Sequence, residues 1–456
     1  MRELLHQTAD AAADFLESLS ERPVLPEVDA AELLDRLGGP VPDGPEDAHR
    51  VVAELAEVGS AAAVAIPGPR YFGFVIGGAV PAALAADWLT SAWDQNAGLW
   101  VGGPAASAVE EIAGSWVADL LGLPRARSWA FVTGTQMAHA TAMAAARNHV
   151  LAQVGWDVEE KGLTGAPAIR VFAGEKAHST FPRALRFVGL GTGSIERIAA
   201  DDQGRMRPDA LRGALGAHEG PAIVCAKAGE VNTGSFDAFD EIADAAEEAG
   251  AWLHIDGAFG LWAAASPRFA HLCAGAERAD SWATDGHKWL NVPYDCGIML
   301  CARPEAHRRA ISVYADYLIH AGEGGPRDEM DWTPEFSRRA RGFTVYAAIR
   351  QLGRSGIAEL VERCCAHAAR FARELPSTGA EVLNEVVLNQ VLFRYESDAR
   401  TAEVLRRVQE SGEAWMSGSV WEGRQAIRLS VSNWQTSDDD VTRTLAAFAR
   451  AAATSG

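Results

Sequence analysis

Primary amines are scarce in this chain of 456 residues: among 41 Lys and Arg, lysine occurs only as Lys161, Lys176, Lys227 and Lys288. Chemistry that needs a nucleophilic amine therefore has four candidates. Lys288 follows the apolar run Ser281–Thr284, stands between His287 and Trp289, and has Trp282 and Leu290 close by in sequence. A lysine deprived of water favours the neutral amine, which attacks an aldehyde carbon. The turn Thr133-Gly134-Thr135-Gln136 is a second group. Glycine lets backbone approach a ligand closely, and the free N–H groups at a helix start suit a phosphate, although a plain strand-to-helix turn reads the same way. Asp256, at the end of WLHI, is the third. A carboxylate there needs a partner to offset its burial, whether a ligand or a structural ion pair.

These groups need a frame that brings them together. From about residue 105, strand-like runs alternate with amphipathic helices: 129–133 before a helix to Val150, 169–173 before 178–187, and 222–226 before 238–249. The runs 253–255, 281–284 and 297–301 follow. Such alternation predicts parallel βαβ units with both sheet faces covered, and ligands in these sheets bind beyond the carboxyl ends of the strands. All three groups sit just past strand ends. Residues 2–19 and 29–37 predict two N-terminal helices with an apolar stripe and no sheet to cover. After the Gly- and charge-rich segment 320–331, a helical stretch (338–375), a strand at 386–395, a helix, a strand at 426–431 and a last helix predict a smaller α+β unit. The expected division is 1–90 (helical, dimer-packing), 91–325 (large domain) and 326–456 (small C-terminal domain).

Composition excludes other classes. The formal charge of −20 argues against nucleic acid and anionic membrane surfaces as partners. The N-terminus lacks a signal-peptide apolar run, and the most apolar stretch, 74–86, contains Pro81 and is too short to span a bilayer. A cytoplasmic location is expected. The six cysteines form no CxxC pair and are read as reduced thiols, with no metal site.

A phosphate cradle, a buried acid and a nucleophilic lysine together fit one cofactor, pyridoxal phosphate. Its aldehyde condenses with an amine, its phosphate takes a helix start, and its ring nitrogen needs a carboxylate to stay protonated. His178, in EKAHST, is suited to stacking on the ring. The segments HIDGAFG, DGHKWLN, AHSTFPRAL and GSFDAFDEIADAA, with 32 residues from Asp256 to Lys288, resemble the group II pyridoxal-phosphate-dependent amino-acid decarboxylases, the aromatic-amino-acid and glutamate type. GPRYF, ADWLTS and AIRLSVSN extend the resemblance from about Pro69 to the C-terminus.

The resemblance implies a fold type I α/β enzyme, a homodimer with its site at the subunit interface. It implies that Lys288 takes the cofactor aldehyde, Asp256 pairs with the ring nitrogen, His178 and Ala258 cover opposite ring faces, and Thr135, Gln136 and His287 hold the phosphate. Arg428 matches the arginine that meets the substrate carboxylate; the residues alone also allow an exposed edge-strand arginine. The expected reaction is α-decarboxylation of an L-amino acid to amine and carbon dioxide. Decarboxylation-dependent oxidative deamination and other fold type I chemistry are the alternatives.

Three departures refine this expectation. Relatives carry on the loop before the long helix a tyrosine that returns a proton to the α-carbon, but residues 320–339 contain none. His178, Tyr314, Tyr317 or a group from the partner subunit is left for that task, and loss of the tyrosine turns some relatives toward oxygen-dependent aldehyde formation. Phe72-Gly73-Phe74-Val75-Ile76 stands where glutamate-type relatives place polar residues, which predicts an apolar or aromatic substrate in a pocket lined by Phe74, Trp93 and Trp100, unless these are core aromatics. Glu230-Val231 replaces a Thr-Thr pair, so Glu230 either receives a substrate cation or caps a turn.

Overall fold

Seven short β-branched and aromatic runs form one sheet: β1 (Ser128–Val132), β2 (Arg170–Gly174), β3 (Ile195–Ile198), β4 (Ala222–Lys227), β5 (Trp252–Asp256), β6 (Ser281–Asp285) and β7 (Gly297–Cys301). The computed structural model describes residues 1–313 and 325–453. Strand order is β1-β7-β6-β5-β4-β2-β3. β7 runs antiparallel to β1 and β6, and the remaining pairings are parallel. Successive residues serve opposite faces: Val224, Leu253, Ile255 and Trp282 enter one core, while Ile223, Cys225, Trp252 and Ala283 enter the other. The alanine-rich helix Thr135–Gln153 covers the second face. Asp256 and Asp285 end neighbouring parallel strands, so the chain concentrates charge at one sheet edge.

In this sheet the predicted strands lie within a residue or two of the observed ones, and β3 has no counterpart in the sequence-based expectation; in the C-terminal sheet the strand expected at 386–395 spans only 390–394, and 381–382 and 417–421 are additional strands. β3 is an edge strand with only Ile198 fully buried, so its apolar signal is weak. The long helix begins at Gly342 rather than 338 and is interrupted at Gly353 (φ +61°), a conformation open to glycine. Residues before it are held extended by a buried ion pair: Arg338 donates to both Glu110 oxygens (2.7 and 2.9 Å) and to the carbonyl of Phe131 (2.7 Å).

A second, antiparallel sheet has the order β10-β11-β9-β8: β8 (Glu381–Val382), β9 (Gln390–Arg394), β10 (Ser417–Trp421) and β11 (Arg424–Ser430). It is tied to the first 80 residues by Arg70, which is 2% exposed and donates to the carbonyls of Ser20 and Glu413 and to Asp440. Phe72 bonds Trp415 and Ser430 through its backbone, which carries Phe74 to the same edge. The helices Arg2–Ser18 and Ala30–Leu37 bury no residue fully, and Ala48–Ala62, absent from the sequence-based expectation, buries only Val58. None of the described helices is long and apolar enough to cross a membrane.

Candidate active site

Strand ends β5 and β6 deliver two buried carboxylates. Asp285 Oδ2 lies 3.0 Å from Lys288 Nζ, and Oδ1 accepts the backbone N–H of Thr135 (2.6 Å), the first residue of the helix after Gly134. Lys288 thus meets an ion partner rather than the apolar pocket expected from Trp282 and Trp289. Those indoles are buried in the core beneath the site. Lys288 and Thr135 hold Asp285 ionised, its pKa lowered against the opposing effect of burial. Gly77 passes close by: a Cβ there would lie 2.0 Å from the Lys288 carbonyl oxygen.

The residues expected to hold the phosphate lie around one turn. Thr135 is buried and its Oγ1 has no hydrogen-bond partner, while Gln136 occupies the next position of the helix. His287 accepts the Cys296 N–H on Nδ1 (3.0 Å), presents Nε2 3.6 Å from Asp285, and stacks on Tyr294 with centroids 4.2 Å apart. Burial keeps its pKa below the usual imidazole value. A Cβ on Gly134 would lie 3.3 Å from the His287 ring, and one on Gly297 would strike the Gly134 backbone, so the turn depends on two glycines meeting.

Asp256 is 7% exposed; Ala258 donates its N–H to Oδ1 (3.3 Å), and the His139 ring lies 3.4 Å from Oδ2. Burial alone would raise its pKa, but His139, His178 and Lys288 hold it well below the ordinary carboxylate range. His178 faces the cleft from the loop after β2. Its Nδ1 accepts from the Thr180 hydroxyl (2.8 Å), and its surroundings lower its pKa against the pull of Asp256. Arg428 lies on β11, an inner strand, which removes the edge-strand alternative. Its Nε is buried without a partner, and burial lowers its pKa while Glu230 counteracts. Glu230 itself caps its own turn, accepting from the N–H groups of Asn232 (2.6 Å) and Thr233 (2.8 Å).

On the segment that runs from Phe72, paired with Ser430, to Gly77, close to the Lys288 carbonyl, Phe74 is 54% exposed and 5.2 Å from the Trp415 ring, which stacks in turn on Tyr71. Phe74 and Val75 both adopt left-handed backbone (φ +53° and +60°), a strain residues with side chains seldom carry. Trp93 packs on Phe343, and Trp100 donates its N–H to Asp328 (2.7 Å). None of their described contacts reaches Lys288, Asp256 or His178. Tyr314 and Tyr317 lie outside the described residues.

Sequence reasoning missed Asp285, Tyr294, His139 and His254. The last two join through a 2.9 Å contact between His139 Nδ1 and His254 Nε2, and His254 Nδ1 lies 2.8 Å from Ser281 Oγ. The period-two spacing Trp252, His254, Asp256 signalled that these side chains share a strand face. The other lysines are engaged: Lys227 donates to the Gly204 carbonyl, Lys176 pairs with Glu422 over the Trp421 ring, and Lys161 lies over Trp156. A free hydroxyl at a helix start, a buried carboxylate 3.4 Å from an imidazole and a lysine on the same edge fit pyridoxal phosphate.

Comparison with known proteins reaches the same cofactor. An aromatic-L-amino-acid decarboxylase of Bacillus atrophaeus is 26% identical over 462 residues, spanning 97% of this chain and 93% of that protein. A 4-hydroxyphenylacetaldehyde synthase of Rhodiola rosea is 26% identical over 434 residues, spanning 90% and 86%. The crystal structure of Oryza sativa TDC with PLP and tryptamine superposes with a TM-score of 0.92 at 26% identity, covering 99% of this chain and 97% of that one. Residues 33–396 match the pyridoxal-dependent decarboxylase conserved domain. With four-fifths of its length in that match and the lysine, carboxylate and imidazole at one sheet edge, the chain belongs to the pyridoxal-phosphate-dependent decarboxylase family.

Proposed function

We propose that this chain removes the α-carboxylate of an aromatic L-amino acid, releasing carbon dioxide and the amine. The observation that carries the reading is the meeting of Lys288, Asp256 and His178 beside the start of the helix Thr135–Gln153. Pyridoxal phosphate, when bound, supplies the aldehyde that captures the substrate amine and a protonated ring that accepts the electron pair left by the departing carboxylate.

Lys288 would hold the cofactor aldehyde through Nζ. Asp256 keeps the proton on the ring nitrogen. Thr135, Gln136 and His287 hold the phosphate, and His178 and Ala258 bracket the ring. Arg428, whose planar guanidinium has a donor to spare, orients the substrate carboxylate. His178, once protonated, can return a proton from Nε2 to the α-carbon and be left as neutral imidazole, held in place through Nδ1 by Thr180.

Aromatic specificity is supported by relatives named for tryptophan, tyrosine and DOPA, and by the exposed ring of Phe74, backed by Trp415 and the buried Tyr71. Phe72 to Ile76 offer no side-chain charge to a second carboxylate, whose unpaired burial costs several kcal/mol. We assign the working form to a cytoplasmic homodimer. Leu5, Leu34, Leu37, Leu55, Trp88 and Leu89 leave the N-terminal helices with exposed apolar faces that a second copy would cover, and Trp100 is assigned to that interface. Equilibrium sedimentation at twice the chain mass checks the assembly.

One observation favours a second reading: residues 320–339 lack tyrosine, and a relative is named an aldehyde synthase. An amino-acid panel followed for carbon dioxide, oxygen uptake and amine separates the two. Equal carbon dioxide and amine without oxygen uptake is expected. Aldehyde with oxygen uptake selects the second reading, and no carbon dioxide from any aromatic acid overturns both.

A further inference from the structure

Behind Asp256 lies a row of polar side chains that the reaction does not touch. Trp252 Nε1 donates to Ser281 Oγ (2.9 Å), Ser281 Oγ lies 2.8 Å from His254 Nδ1, and His254 Nε2 lies 2.9 Å from His139 Nδ1. His139 Nε2 then lies 3.4 Å from Asp256 Oδ2, the nearest charged oxygen to a buried nitrogen that has no hydrogen-bond partner. Ser281, His254 and His139 are all 0% exposed. Phe181 seals the row, edge-on to His139 and parallel to His254. Register accounts for the arrangement: Trp252, His254 and Asp256 share one face of β5, and Ser281 pairs directly with His254.

Each of these atoms can give or take, so the direction of the row has to come from its ends. At one end the indole N–H only donates, so the Ser281 oxygen accepts and its own hydrogen is free for His254 Nδ1. At the other, a carboxylate only accepts, so His139 must present Nε2–H. A neutral His139 with its hydrogen on Nε2 accepts on Nδ1, which requires His254 Nε2–H and leaves His254 Nδ1 to accept from Ser281. The assignment closes without a mismatched pair. In the reversed direction a bare ring nitrogen would face the carboxylate, and avoiding that would take a buried imidazolium on His139.

We propose that Ser281, His254 and His139 are positioning residues that form a one-way hydrogen-bond chain ending on Asp256. The chain supplies Oδ2 with a single donor and helps keep the carboxylate ionised, while Oδ1 takes the Ala258 N–H and has capacity for a further donor. The other groups facing Asp256 are His178 and Lys288 from the loops after β2 and β6 and the neutral Cys225 thiol on β4; Lys227 on β4 is its register partner. Burial keeps His254 far below the usual imidazole pKa, as a neutral link requires. The inference deepens the reading of Asp256 as the ring-nitrogen partner and rests on it only for its effect on the cofactor.

Ring-nitrogen NMR on the full chain labelled with ¹⁵N-histidine, without and with pyridoxal phosphate, tests the chain directly; His139→Gln and His254→Gln assign the signals. Both rings are expected to carry hydrogen on Nε2 alone across neutral pH. Hydrogen on Nδ1, or on both nitrogens of His139, overturns the proposal whatever the cofactor does. A second measurement compares His254→Phe with His254→Gln, whose amide can still donate to His139. The Phe variant is expected to weaken pyridoxal phosphate binding about tenfold and to shift the pH midpoint of the bound cofactor's absorbance, with Gln within about threefold of the parent. Equal behaviour of the two folded variants sinks the positioning role. Failure of the parent chain to bind the cofactor would instead remove the reading of the site and leave the histidine assignment standing.

Discussion

The rear and the mouth of the site are built on opposite terms. At the rear, Asp256, Asp285, His139 and His254 are buried, and each lies against a polar or charged neighbour of the same chain. At the mouth, Phe74 is half exposed on left-handed backbone and Arg428 Nε is buried with nothing to bond. Buried polar groups that are satisfied hold a geometry; those left unsatisfied are held in readiness for something else. One chain therefore brings a lysine, two carboxylates and two imidazoles into mutual contact, while Arg428 Nε and Phe74 keep contacts unmet within it.

This contrast can be broken experimentally. Lys288→Ala should remove activity by about 10⁴-fold or more, as loss of a nucleophile does. Single-turnover assays check this, and a visible cofactor band that persists in the variant would dismiss the lysine assignment. Glu110→Ala strips Arg338 of its buried carboxylate and should cost about 3–5 kcal/mol of stability, measured by urea unfolding. Arg338 braces Phe131 in the strand leading to the phosphate turn, so cofactor affinity should fall with it.

Mouth variants should behave differently. Arg428→Lys keeps the charge but loses the planar fork, and a rise in KM of about tenfold with little change in melting temperature is expected. Phe74→Gly relieves about 1 kcal/mol of left-handed strain and forfeits a ring contact worth about as much. Stability should stay within about 1 kcal/mol of the parent while KM for an aromatic substrate rises. A large loss of stability from either mouth variant would erase the distinction between the two regions.

What the sequence made legible follows the same division. Lys288, Asp256 and His178 stand in short motifs just past strand ends, where a local pattern suffices. The pairing of Lys288 with Asp285 spans three residues, yet its rotamer choice is invisible without the fold. His139 and His254 lie 115 residues apart, so their contact exists only once the helix after Gly134 is laid across β5. Glu230 read equally well as a receptor or a cap until its turn closed around it. β3, the edge strands β8 and β10 and the helix Ala48–Ala62 have no counterpart in the sequence reading because edge or surface elements bury little and so leave weak periodicity.

The engagement of the remaining lysines bears on how this protein meets reactive aldehydes in general. Lys227 is buried against a carbonyl, Lys176 is clamped to a carboxylate, and Lys161 rests on an indole. A chain that answers most demands for positive charge with arginine offers carbonyl compounds few amines to modify. Borohydride reduction of the loaded protein, followed by peptide mapping, should accordingly mark one tryptic fragment, the one holding Lys288. The same scarcity protects the rest of the surface from glycation-like damage by its own cofactor.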